Sequence, residues 1–134
     1  MKYMLDTNIC IYILKHSDEN VLKRFKECEY GDIGISSIVY SELIYGVEKS
    51  GSREKNLNIL LKFLSPIKIY DYDANASNEY GLIRTILEKE KNIIGPMDLL
   101  IAAHAKSLKV VLVTNNEREF CRVNGLIVEN WVKT

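Results

Sequence analysis

From Leu99 to Ala105 only one side chain, that of His104, is polar. A helix over this stretch is apolar on most sides, and such a helix has to be buried. Gly95 and Pro96 mark its start, since proline suits the first helical position, where its missing N–H costs nothing. Asp98 then falls in the first turn. A first-turn carboxylate facing the helix dipole is worth about 0.3–1 kcal/mol. The same carboxylate stands where a ligand at the rim of a core would stand. Taken alone, Asp98 fits the first role better. A buried helix also needs layers around it, and the rest of the chain has to supply them.

The chain has 134 residues, 47% of them hydrophobic. That length suits one domain, residues 1–134, with a core that needs no staples. The 18 basic and 18 acidic residues cancel. Zero formal charge argues against a highly basic nucleic-acid coat protein. It leaves room for an RNA partner, because acids gathered around a metal leave the remaining surface net positive. Cys10, Cys28 and Cys121 are scattered and show no zinc spacing, which predicts reduced thiols and a cytoplasmic protein. Asp6 interrupts the apolar start that an export signal needs. No apolar run approaches the roughly 18 residues of a membrane span, so no membrane association is expected.

Tyr3-Met4-Leu5 reads as a buried strand stopped by Asp6-Thr7-Asn8, with a helix over Ile9 to Leu14 that Thr7 or Asn8 would cap. Asp6 itself reads either as that cap, the better fit from this triplet alone, or as a ligand at the end of the strand. Amphipathic spacing predicts a helix from Asp18 to Glu29. Asp32 to Ile35 reads as a second strand. Ser36 or Ser37 is placed to cap a helix running to about Glu48. Ser52 is placed to cap another, through Leu57 and Leu64 to a stop at Pro66. Ile67 to Tyr70 is a third strand, and Asp73 caps a long helix from about Ala74 to Glu90. Val110 to Val113 is β-branched and apolar, as in a buried parallel strand. A short helical turn, Glu117 to Phe120, precedes a short edge strand at Ile127-Val128. Strands alternating with helices predict an α/β fold with a central parallel sheet.

Asp6 and Thr114 each follow a strand, so both fall on the carboxyl edge of the sheet, where open α/β folds bind ligands. Glu42 lies on the apolar stripe of its helix, an unusual place for an unpaired acid. Asp6, Glu42 and Asp98 together would repel one another unless a hard divalent cation held them. Mg²⁺ typically takes one or two carboxylates and keeps several waters. Such an ion activates water and stabilises a phosphoryl oxyanion. His16 and His104 are poorly placed as ligands, and His104 reads as a packed or partly exposed helix residue.

Four blocks carry a resemblance: Met4-Leu5-Asp6-Thr7-Asn8-Ile9; Ser36-Ser37 through Glu42-Leu43-Ile44-Tyr45-Gly46; Ile94-Gly95-Pro96-Met97-Asp98 with Ile101 to Ala105; and Val113-Thr114-Asn115-Asn116-Glu117-Arg118-Glu119-Phe120 with Val128 to Trp131. In this order and spacing they resemble the PIN-domain ribonuclease toxins of the VapC type, over nearly the whole chain. The resemblance implies a single PIN domain and a Mg²⁺- or Mn²⁺-dependent endoribonuclease. It implies Asp6 and Asp98 as metal ligands, Glu42 as the third acid and Thr114 as a hydroxyl at the rim. Where many PIN domains carry a fourth acid this chain has Asn116, and Glu119 is placed to supply that charge instead. The resemblance also implies an RNA substrate, either a transfer RNA anticodon loop or a ribosomal RNA loop. It further implies a homodimer and a small VapB-like antitoxin in a higher assembly. A basic residue near the antitoxin's C-terminus is expected to reach the acids, with Tyr12, Ile13 and their neighbours forming the partner-facing surface.

Other readings fit less well. A haloacid-dehalogenase-like phosphatase wants a second Asp two residues after the first, where this chain has Asn8. A signalling receiver wants an acidic pair beside Asp6, although Asp71 could imitate its phosphoacceptor. A housekeeping RNA-processing PIN nuclease and an inactive RNA-binding PIN module remain as alternatives to the toxin.

Overall fold

A computed structural model describes residues 1–132, so the last two residues of the expected domain lie outside the described residues. Five strands form one sheet: β1 (Tyr3–Leu5), β2 (Ile33–Ser36), β3 (Lys68–Tyr70), β4 (Val111–Val113) and β5 (Ile127–Glu129). Their order is β3-β2-β1-β4-β5, and every pairing is parallel. Seven helices flank it: α1 (Thr7–Lys15), α2 (Glu19–Glu27), α3 (Ser37–Lys49), α4 (Arg53–Leu64), α5 (Ala74–Lys89), α6 (Pro96–Leu108) and α7 (Glu117–Phe120). No described helix is long and apolar enough to cross a membrane.

The chain builds outward from β1 to β2 and β3, then returns to place β4 on the other side of β1. The order therefore reverses beside β1, and α/β sheets open a crevice at such a switch point. The register there is fixed by Tyr3, Met4 and Leu5 facing Val111, Leu112 and Val113. Met4, Leu5, Leu112 and Val113 are fully buried, as both-face coverage demands of central parallel strands. Gly34 in β2 is required by close packing, since a Cβ there would come within 2.7 Å of the Tyr70 ring and would also strike Met1.

The apolar α6 is buried as its composition predicts, with Leu99, Ile101, Ala102, Ala103 and Ala105 in the core. Trp131 closes the far side, fully buried against the Tyr3 ring at 5.3 Å. Glu129 accepts from the Trp131 indole at 3.1 Å and pairs with Arg24 at 3.0 Å. The indole thus keeps its hydrogen bond while its rings are removed from water.

Of the candidates Asp6, Thr7 and Asn8, it is Asp6 that caps α1, its Oδ1 accepting the Ile9 N–H at 2.9 Å, while Thr7 and Asn8 lie inside the helix. β1 runs through Leu5, as the sequence predicts, which leaves Asp6 as the residue in extended conformation before the first turn. One cap differs from the sequence reading: Ser52 makes no side-chain cap bond to α4.

Candidate active site

Because β1 and β4 are adjacent and in register, the residues that follow them emerge side by side. The Asp6 N–H donates to Val113 O at 3.0 Å, and the Thr114 N–H donates to Glu129 O at 2.9 Å. Both side chains are buried. The Thr114 hydroxyl bonds the Asp6 carboxylate and accepts the Asn116 N–H at 2.9 Å. Thr114 thus fixes both the carboxylate beside it and the turn that follows. Burial pushes the Asp6 carboxyl up, the Thr114 and Ile9 bonds pull it down, and Glu42 pushes it up again.

Glu42 arrives from α3. It is half-buried, and its Oε1 accepts the Thr7 hydroxyl at 2.5 Å. That bond ties α3 to the first residue of α1 and answers the apparent misplacement of an acid on an apolar stripe. The acid sits at the edge of the crevice, where a hydroxyl satisfies it.

Asp98 arrives from the first turn of α6 and Glu119 from α7. Asp98 is pushed up to about 7, first by burial, then by its hydrogen bond with Glu119 and by the negative charges of Glu119, Asp6 and Glu42. Glu119 is held below the usual carboxylate range, chiefly by the Gly95 N–H, which donates to its Oε1 at 3.0 Å. The Asn116 amide donates to the other oxygen. The pair shares a proton, and these bonds keep the negative charge on Glu119 and the proton on Asp98. The Gly95 bond also satisfies a donor at the entrance of α6 with an anion, as helix N-termini favour.

The structure thus brings together Asp6, Glu42, Asp98 and Glu119, with Thr114 and Asn116 as the groups that orient them. Among the described residues, no three acid, histidine or cysteine side chains stand close enough together to hold a metal ion as they are. Mg²⁺ does not require three, since two carboxylates and waters complete its shell. The donor set fits a hard cation: the carboxylates of Asp6, Glu42, Asp98 and Glu119 supply oxygen ligands, and burial with their mutual repulsion pushes Asp98 up to about 7.

The sequence reading missed one contact. His104 is buried, with its Nδ1 2.7 Å from the Ser36 Oγ, and Ser36 caps α3 by accepting the Ile38 N–H at 3.1 Å. Ser36 begins the helix that carries Glu42, and His104 lies on the helix that carries Asp98. The two acid-bearing helices are therefore bolted together. A polar residue alone on an apolar helix was the available signal, but nothing in the sequence names its partner.

Comparison with known proteins gives a consistent picture. Residues 3–126 match the PIN domain. The tRNA(fMet)-specific endonuclease VapC of Shigella flexneri is 47% identical over 131 residues, covering 98% of each chain. Ribonuclease VapC2 of Rickettsia felis is 48% identical over 134 residues, covering 99% of this chain and 100% of its own. Among solved structures, VapBC2 from Rickettsia felis bound to a DNA fragment from their promoter superposes with a TM-score of 0.91 at 45% identity, covering 98% of this chain and 99% of that one. DNA-bound VapBC from Salmonella typhimurium superposes with a TM-score of 0.92 at 44% identity, covering 98% of each.

Proposed function

The chain belongs to the PIN-domain family and within it to the VapC ribonuclease toxins, and on that premise we propose that residues 1–134 form one Mg²⁺- or Mn²⁺-dependent endoribonuclease unit whose centre is the acidic edge described above. The observation that carries the reading is the convergence of Asp6, Glu42 and Asp98 on the switch point beside β1. Asp6 and Asp98 would hold the ion, which when bound activates water and neutralises charge on the phosphoryl oxygens.

The chain's own residues do the rest. Thr114 orients the Asp6 carboxylate, and the Gly95 N–H with the Asn116 amide orients Glu119 in the fourth acidic position. Glu42, steadied by Thr7, takes the proton from the attacking water. Water's oxygen bonds to phosphorus as the bond from phosphorus to the leaving ribose oxygen breaks, and a solvent water gives that oxygen its proton, the resulting hydroxide taking up the proton that Glu42 releases.

For the substrate we assign a transfer RNA, as for the tRNA(fMet)-specific endonuclease VapC of Shigella flexneri, and within it the anticodon loop. Unstacked loop bases are what single-stranded RNA recognition exploits.

The partner is a small antitoxin, as in the VapBC complexes that resemble this chain. Its expected seat shifts at one residue. Tyr12 is half-buried, with its hydroxyl bonded to Asn115, while Ile13 is buried in the core and offers no docking surface. A groove of about 800 Å³ between α1, α3 and α4 offers one instead, with Ile11, Leu14, Leu43 and Ile59 in its lining and Lys15, Lys49 and Lys55 beside them. Thr7 and Glu42 also line it, so a peptide lying there can put an Arg or Lys on the acids, whose geometry suits a guanidinium fork. The toxin acts as a homodimer in this account.

Induction of the protein alone, followed by sequencing of RNA 5′ ends, tests the reading. New ends in one transfer RNA loop are expected with wild type and not with Asp98→Asn. Growth arrest without such ends would refute it.

A further inference from the structure

Beside the acids the same edge carries a cluster that catalysis leaves unused. Asn115 lies between Thr114 and Asn116, whose side chains belong to the acid network. Its own side chain is exposed, yet it is held from both sides. Its Nδ2 donates to the Tyr12 hydroxyl at 3.3 Å, and its Oδ1 accepts from Asn130 Nδ2 at 3.2 Å. Asn130 is fixed in turn, its Oδ1 accepting the Val132 N–H at 2.9 Å. Three separate elements therefore meet on one exposed amide: α1, the turn after β4 and the segment after β5.

A surface amide bonded at both ends gains little stability, because water would serve it nearly as well. What it gains is orientation. A carboxamide has two N–H donors and two acceptor lone pairs. One of each is engaged here, and among the described residues nothing takes the others. The remaining N–H and lone pair give one donor and one acceptor, the two kinds of group that the edge of a nucleobase answers. The group is neutral, so it adds no charge attraction to phosphate, the term of RNA binding that carries no sequence information.

We propose that Asn115, set by Tyr12 and Asn130, is a specificity-determining residue that reads the edge of an unstacked base next to the scissile phosphate. The inference rests on the ribonuclease reading above.

The test uses purified full-length protein and single-stranded RNA oligonucleotides randomised on both sides of the cleavage point, with product ends sequenced. Wild type is expected to show a base preference at one flanking position. Asn115→Ala should lower kcat/KM on the preferred sequences about tenfold, towards the level of the disfavoured ones. Tyr12→Phe and Asn130→Ala should flatten the preference in part, with no change in melting temperature. An Asn115→Ala profile identical to wild type at every position would overturn the proposal, as would a loss shared equally by all four bases. Absence of cleavage by wild type would instead reject the ribonuclease reading and this inference with it.

Discussion

The Ser36 hydroxyl and the His104 imidazole meet at 2.7 Å, buried, across 68 residues of chain. The bond favours one imidazole tautomer. Ser36 Oγ already accepts the Ile38 N–H, so giving its own proton to an unprotonated His104 Nδ1 uses both of its roles. Burial pushes the His104 pKa down, while Asp73 and Asp71 pull it back up.

That arrangement has a pH signature. The unfolded chain takes up a proton at His104 near pH 6.5 and the folded chain resists it. Stability from this group is therefore present above about pH 6.5 and is lost as pH falls through that value. His104→Asn keeps an acceptor near the Nδ1 position and does not titrate. Its melting temperature, relative to wild type, should rise steadily from pH 7 to pH 5. Parallel curves at all pH values would show that His104 is not held neutral.

Asp98 works in the opposite sense. Its folded pKa of about 7 lies above the ordinary 3.8. The folded state holds a proton that the unfolded chain has lost, so the contribution is complete below about pH 3.8 and disappears as pH rises through 7. Asp98→Asn removes that penalty. Without divalent ions, the variant should melt higher than wild type at pH 8, by more than at pH 6. The gap stays modest because the group is partly exposed. A variant that melts lower at pH 8 would contradict the repulsion described among these acids.

Thr114 and Glu119 separate orientation from ligation. Thr114→Val keeps the buried shape and deletes the bond to Asp6, so cleavage should fall about 10–100-fold, as with other groups that orient ligands. Glu119→Gln should reduce activity and bring the Asp98 carboxyl back down, which carbon-detected NMR titration would show. Unchanged activity in Thr114→Val would mean that α1 capping alone holds Asp6.

Much of this was legible in the sequence, and for identifiable reasons. A short apolar run marked β1 and an apolar, β-branched one marked β4, and parallel pairing then put Asp6 and Thr114 on one edge. The clash between Glu42 and the apolar stripe of α3 flagged that acid before any contact was known. The sequence named Asp6, Thr7 and Asn8 as cap candidates and could not choose among them by pattern alone, because cap position depends on where the helix begins, within a residue. Ile13 was read as surface because a nine-residue helix such as α1, Thr7–Lys15, gives too few turns to tell its two apolar sides apart. The Ser36–His104 bond and the Asp98–Glu119 proton are tertiary facts: each partner lies in a different block, and no local pattern pairs them.

The central claim is that carboxylates at the switch point hold a divalent ion that cleaves RNA. It is tested most directly by the single-turnover rate on a transfer RNA anticodon stem-loop with Mg²⁺, for wild type, Asp6→Asn and Asp98→Asn. The account predicts cleavage by wild type that EDTA abolishes and added Mg²⁺ restores, and none by either variant, with both variants folded. Wild-type rates in both variants, or cleavage that persists in EDTA, would contradict it.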